Sequence, residues 1–145
     1  MKIKDYELPD DLYYHGEHAW ARLEKDGRVR VGMNDFFQKA AGGIVYVDLP
    51  FEDDEVSQGE TCGKVQSSKW VGKLVSPVSG KIVEVNSNLE DQSGLINKDP
   101  YGTGWIMLVQ PSAWNGEKAN LICGAGPVAK WMEGEMKKAE SGGKK

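Results

Sequence analysis

Histidine and cysteine are both scarce here, with two of each in 145 residues. His15 and His18 lie three residues apart with no third ligand evident, so the expected metal set is none. Cys62 and Cys123 are far apart, and the opening Met1-Lys-Ile-Lys-Asp-Tyr-Glu has no apolar run that would act as an export signal. A structural disulfide is therefore not expected, and the cytoplasm is the expected compartment. No stretch reaches the length of a membrane span. No excess of basic charge exists either: Lys and Arg number 18 against 22 Asp and Glu, for a net charge of −4, which argues against a nucleic-acid partner. No glycine loop of the phosphate-binding kind opens a helix. No hydroxyl nucleophile is linked to a histidine and an acid.

What is present suits a soluble globular chain, 39% apolar and 28% charged. Its length fits one domain, expected over residues 1–140, with a frayed Ser-Gly-Gly-Lys-Lys tail at 141–145. Short strand patterns dominate. Residues 20–23 and 28–32 form a predicted hairpin around Lys25-Asp-Gly27. Asn34 is placed to cap a helix over 35–41 that closes at Gly42-Gly43. Further strands are expected at 44–50, 59–66, 73–75, 81–85 and 105–109, with 86–104 largely loop. Pro127 suits the first turn of a last helix with Val128, Trp131, Met132 and Met136 on one side. A weak internal repeat sets Ile44, Val45 and Val47 against Ile82, Val83 and Val85 at one constant offset. The expected fold is mainly β: two antiparallel sheets packed into a flattened barrel, with short helices and a C-terminal helix. Lys69 falls between the two copies, at a turn predicted to be the most exposed point of the molecule.

The residues around that turn carry a specific resemblance. Glu17-His18-Ala19-Trp20, Val31-Gly32, Gly43-Ile-Val-Tyr-Val-Asp-Leu-Pro50, Ser67-Ser68-Lys69 with Ser76-Pro-Val-Ser-Gly80, Gly94-Leu-Ile-Asn97 and Pro100-Tyr-Gly-Thr-Gly-Trp105 together resemble the H-protein family of the glycine cleavage system. The resemblance runs in register over roughly residues 12 to 110. It implies a lipoyl/biotinyl-type barrel-sandwich hybrid and a covalent carrier rather than an enzyme, with lipoic acid attached at Lys69. Gln66, Ser67 and Ser68 would surround the attachment site; Lys73, His18 and Ala19 would form the environment of the arm. A biotin carrier is the nearest competitor, but the methionines that typically flank its lysine are absent. Acylation would remove the charge of Lys69 and add a long arm ending in a dithiolane, able to cycle between disulfide and dithiol.

Departures from the family pattern bear on the cargo. Ala19, Gly43 and Gln66 stand where acidic residues are usual, and Lys73 stands in place of an aspartate. The aminomethyl cargo of glycine cleavage is cationic, and a lysine beside a cation is unfavourable. The departures favour a heterodisulfide-reductase-like sulfur-oxidation complex as the partner. The glycine cleavage P, T and L proteins are the alternative, and an unlipoylated regulatory homologue is a reading of another class. Lipoate-attaching enzymes are expected partners in either pathway.

Overall fold

The computed structural model describes residues 2–69 and 71–142. The chain runs β1 (Lys2–Ile3), β2 (Tyr6–Glu7), β3 (Tyr13–Tyr14), β4 (Ala19–Leu23), β5 (Val29–Met33), α1 (Asp35–Ala41), β6 (Ile44–Asp48), β7 (Glu55–Val56), β8 (Thr61–Ser67), β9 (Val71–Val75) and β10 (Gly80–Val85). A 3-10 turn at Ser87–Glu90 follows, then α2 (Leu95–Lys98), β11 (Met107–Pro111), α3 (Trp114–Glu117), β12 (Ile122–Cys123) and α4 (Ala125–Gly142). No helix among the described residues is long and apolar enough to cross a membrane.

The strands form a seven-stranded sheet ordered β12-β3-β4-β5-β11-β10-β7, a three-stranded sheet ordered β6-β8-β9, and a β1-β2 ribbon. The two main sheets match the expectation; the ribbon was not expected. Both are antiparallel throughout, and alternate residues of each face a shared core of Val29, Val31, Val47, Val65, Leu74, Ile82 and Val109. The internal repeat is structural as well. β6 pairs with β8 and β10 with β11, and in both pairs the register shifts one residue after the matched isoleucine, at Val45 and at Val83.

A second cluster lies outside the β3–β4–β5 hairpins. Leu8, Leu12, Tyr14, Trp20 and Phe36 pack there against Val128 and Met132 of α4, with Trp131 and Met136 half-buried beside them. The apolar stripe expected from Pro127 onward is therefore packing surface. Trp20 is wholly buried, donates its indole N–H to the Pro100 carbonyl at 3.0 Å, and lies where a Cβ on Gly32 would come within 2.7 Å of its ring atoms. That close approach requires glycine at position 32.

Residues 86–104 are mostly turn and loop, as expected, but they include two short helical pieces, the 3-10 turn and α2, held by backbone bonds such as Asp99 N–H to Leu95 O at 2.8 Å. Two expectations need correction. The strand expected at 105–109 is shifted to 107–111. Of the expected tail, Ser141 and Gly142 are the last residues of α4, and 143–145 lie outside the described residues.

Candidate functional site

The hairpin between β8 and β9 places Lys69. Its last paired residues are Gln66 and Val71, so the turn spans residues 67–70; Trp70 lies outside the described residues. Ser67 is buried and its Oγ accepts the Lys69 N–H at 3.2 Å, which braces the turn from inside. Gln66, Ser68 and Lys69 are exposed. The Lys69 ammonium has no ion pair among the described residues. Its stem lies over the C-terminal end of α1, where a Cβ on Gly42 would sit 3.0 Å from Lys69 Cε. Gly42 also has φ +78°, so a side chain there would be strained as well as crowded.

The corner beneath Lys69 is fixed by Asn97. Its amide donates to the Gly42 carbonyl at 2.8 Å and to Gln38 Oε1 at 2.9 Å, while its Oδ1 accepts the Ile44 N–H at 2.9 Å. The Gly94-Leu-Ile-Asn97 motif thereby holds the junction between α1 and β6. Tyr101 does the same at the other end of α1: its hydroxyl accepts the Asp35 N–H at 2.9 Å and donates to the Glu7 carbonyl at 2.6 Å.

Beside the lysine lies a cleft of about 330 Å³, near the lower end of ligand-sized cavities (~300–1,000 Å³). Val71, Gly72 and Lys73 of β9 form one wall; Phe36, Phe37 and Ala40 of α1 and the segment Glu17-His18 complete it. The interior is apolar, with Glu17 and Lys73 as its opposite charges. Lys73 is the expected charge of this cleft; Glu17 is an unexpected one. Ala19 is fully buried in the main core, so the cleft environment expected of it is not found. His18 and Lys73 do line the cleft. Gln66, Ser67 and Ser68 lie on the hairpin that carries Lys69, and Gly43 is exposed just beyond α1.

His18 is held tightly. Its backbone is left-handed, with φ +74°, in a turn closed by its N–H to His15 O at 2.8 Å and by Asn34 N–H to its own carbonyl at 2.9 Å. The ring stacks between Phe36 and Trp131, at centroid distances of 4.7 and 4.9 Å. Asn34 caps α1 by accepting the Phe37 N–H on Oδ1 at 2.9 Å, so its amide nitrogen is what faces His18 Nδ1, at 3.1 Å. Nδ1 must then accept, the proton sits on Nε2, and Nε2 donates to Glu135 Oε1 at 2.8 Å. Burial pushes the His18 imidazolium pKa down, against the pull of Glu135. Burial also raises the Glu135 carboxyl, but hydrogen bonds from Lys138 and His18 outweigh it and hold it below its ordinary value. Both ring nitrogens of His18 are thus engaged, and His15 Nδ1 accepts the Glu17 N–H at 3.0 Å. Among the described residues no cluster of three metal-ligating side chains occurs. Cys62 and Cys123 are free thiols on different strands, and burial pushes the Cys62 thiol up to about 11.

The model of the family described as glycine cleavage H-protein matches residues 12–134. The glycine cleavage system H protein of Mycobacterium tuberculosis H37Rv is 47% identical over 104 residues, covering 72% of this chain and 78% of that protein. The glycine cleavage system H protein 4 of Aquifex aeolicus is 45% identical over 108 residues, 74% of this chain and 63% of that one. A crystal structure of a glycine cleavage system H protein from Mycobacterium marinum superposes with a TM-score of 0.69 at 43% identity, covering 73% of this chain and 87% of that one. The mainly β barrel-sandwich of the lipoyl type is the fold shared with that neighbour.

Proposed function

This chain belongs to the glycine cleavage H-protein family, whose members carry lipoate on a lysine, and we propose that it bears lipoate on Lys69 and serves the P, T and L proteins of glycine cleavage as their mobile carrier. The observation that carries the proposal is the placement of Lys69: exposed, on a braced hairpin, with an apolar cleft beside it. These residues fit the group. Lys69 supplies an ammonium with no ion pair among the described residues, and Phe36, Phe37 and Val71 supply apolar wall on which a short arm can rest. Bound lipoate supplies a disulfide that opens to hold cargo on one sulfur. The chain itself presents Lys69, shelters the arm and offers Glu17 near a cationic cargo. As a carrier it needs no catalytic residue of its own. The cytoplasmic location expected from the sequence is part of the proposal.

The sulfur-oxidation partner favoured on sequence grounds gives way here to the alternative. The relatives named above are glycine cleavage proteins, and the electrostatic argument loses part of its force because Glu17 lines the same cleft as Lys73. The test mixes lipoylated protein with glycine decarboxylase and follows glycine–bicarbonate exchange. Turnover comparable to that of another H protein is expected. Absence of exchange from fully lipoylated protein would return the sulfur pathway to the lead.

A further inference from the structure

The outer face of the three-stranded sheet carries two rows of exposed side chains below the Lys69 turn. Tyr46, Gln66 and Val71 are aligned across β6, β8 and β9; the next outward row is Asp48, Lys64 and Lys73. Tyr46 and Val71 are 52% and 57% exposed, and Val45 at the bulge is 63% exposed. The row of Lys64 and Lys73 lies two residues further from the turn, about 7 Å along the strands at ~3.3 Å per residue. The two lysines are direct cross-strand partners, an arrangement in which like charges repel. Neither has an ion pair among the described residues, not even Lys64 with neighbouring Asp48. Lysines often protect sheet edges from pairing. That accounts for Lys73 on the edge strand β9 but not for Lys64, because β8 is the central strand of its sheet.

We propose that this face, the row of Tyr46, Gln66 and Val71 next to the turn followed by the Lys64–Lys73 pair, is the docking surface for the enzyme that acylates Lys69, and that this enzyme meets it with an acidic rim. The inference rests on the reading of Lys69 as the lipoyl site and names the chemistry of one partner. Before modification, Lys64, Lys69 and Lys73 put three cations on one end of a chain whose net charge is −4. Such a local field orients an encounter with a carboxylate-lined mouth. Acylation removes one of the three charges, so the product is held less tightly than the substrate. An enzyme acting on the free lysine gains most from this arrangement, which is why it is favoured over partners that meet the protein already acylated. Acids flank the surface on both sides: Asp48 lies in the same row, with Glu52 and Glu90 beside it on the β6 side, and Glu17 lies across the cleft from Lys73, so the positive field is confined to the β8–β9 hairpin.

The test measures kcat/KM for transfer of lipoate to Lys69 by the lipoate–protein ligase of the same source, on the wild type and on Lys64→Gln, Lys73→Gln and the double Lys64→Glu/Lys73→Glu variant. The neutral variants should lose activity by about threefold each and the double reversal by tenfold or more. The loss should lie mainly in KM and shrink as salt rises toward ~0.5 M. As inhibitor of wild-type modification, Lys69→Arg should outcompete Lys69→Gln several-fold. Equal kcat/KM across the set, or faster acylation of the reversed variant, would overturn the docking proposal while leaving the carrier reading intact. No acylation even of the wild type would reject the lipoyl reading of Lys69, and this proposal with it.

Discussion

The Lys69 turn and the His18 wall flank one cleft and are built on opposite plans. Lys69 is exposed, and its side chain has no ion pair among the described residues. The turn beneath it is braced by the hydrogen bond from its own N–H to Ser67 Oγ. His18 is sandwiched between two aromatic rings, with both nitrogens engaged and its backbone in the left-handed region. A side chain that must be modified and then travel gains from having few contacts, because every contact would have to be broken. A wall that must keep its shape gains from having many. Function at the lysine and order at the histidine should therefore separate under mutation.

The sharpest separation is expected at the lysine. Lys69→Arg keeps the charge but cannot form the amide, so lipoylation should vanish entirely. The unfolding free energy should stay within about 0.5 kcal/mol of wild type, as for surface substitutions that break no packing. A large loss of stability would show that the turn has a structural role and would break the comparison.

The converse is expected at the histidine. His18→Ala removes two ring contacts, leaves the Asn34 amide without its His18 acceptor, and leaves the Glu135 carboxylate with Lys138 alone. A cost of about 2–3 kcal/mol follows from the unmade hydrogen bonds and the lost stacking. Denaturant midpoints should report that loss, while Lys69 in the variant is still acylated. A neutral outcome would mean that α4 does not depend on His18.

Acid should reproduce part of that effect. The folded-state pKa of His18 is depressed by burial, so the unfolded chain binds the proton more readily. The stability contributed by neutral His18 is fully present above about pH 6.5. It falls as pH drops from there through the folded pKa, at no more than about 1.4 kcal/mol per pH unit. The sign for Glu135, whose carboxyl is depressed, is the same but the window is lower: its contribution is lost as pH falls below about 4.5. The stability gap between wild type and His18→Gln, followed from pH 7.5 to 5.5, should narrow on acidification. A gap that widens would mean that the imidazolium is the favoured folded form.

The smallest effects concern charges at the cleft. Glu17→Gln should shorten the lifetime of protein loaded with a cationic cargo by about twofold, and Lys73→Asp should lengthen it by a similar factor, both fading with salt. Ala19→Glu, which the sequence pattern suggests as a companion change, would instead force a carboxylate into a fully buried site.

Much of the lysine side of the comparison was legible in the sequence because it is local. The hairpin, the Asn34 cap and the α1 stop at Gly42 depend on residues close together in the chain, and the pseudo-repeat shows as a match at one constant offset. The histidine side was not legible. Trp131 and Glu135 come from α4, far along the chain from His18, and their helical spacing said only that α4 packs. Two-residue strands such as β7 and β12 show no periodicity, so nothing marked them. The turns within 86–104 are held by groups such as Asn97 whose partners lie on α1 and β6, outside any local pattern. The charges around the cargo were only partly legible for a related reason: residue types at fixed positions do not show that the fold buries Ala19 in the core and places Glu17 at the cleft.

The most direct test of the account is the mass of the protein produced in its native source, followed by peptide mapping across the β8–β9 hairpin. The account predicts one lipoyl group per chain, on the peptide containing Lys69. A lipoyl group on Lys64 or Lys73, or a chain that carries none while its lipoylating enzymes are active, would contradict it.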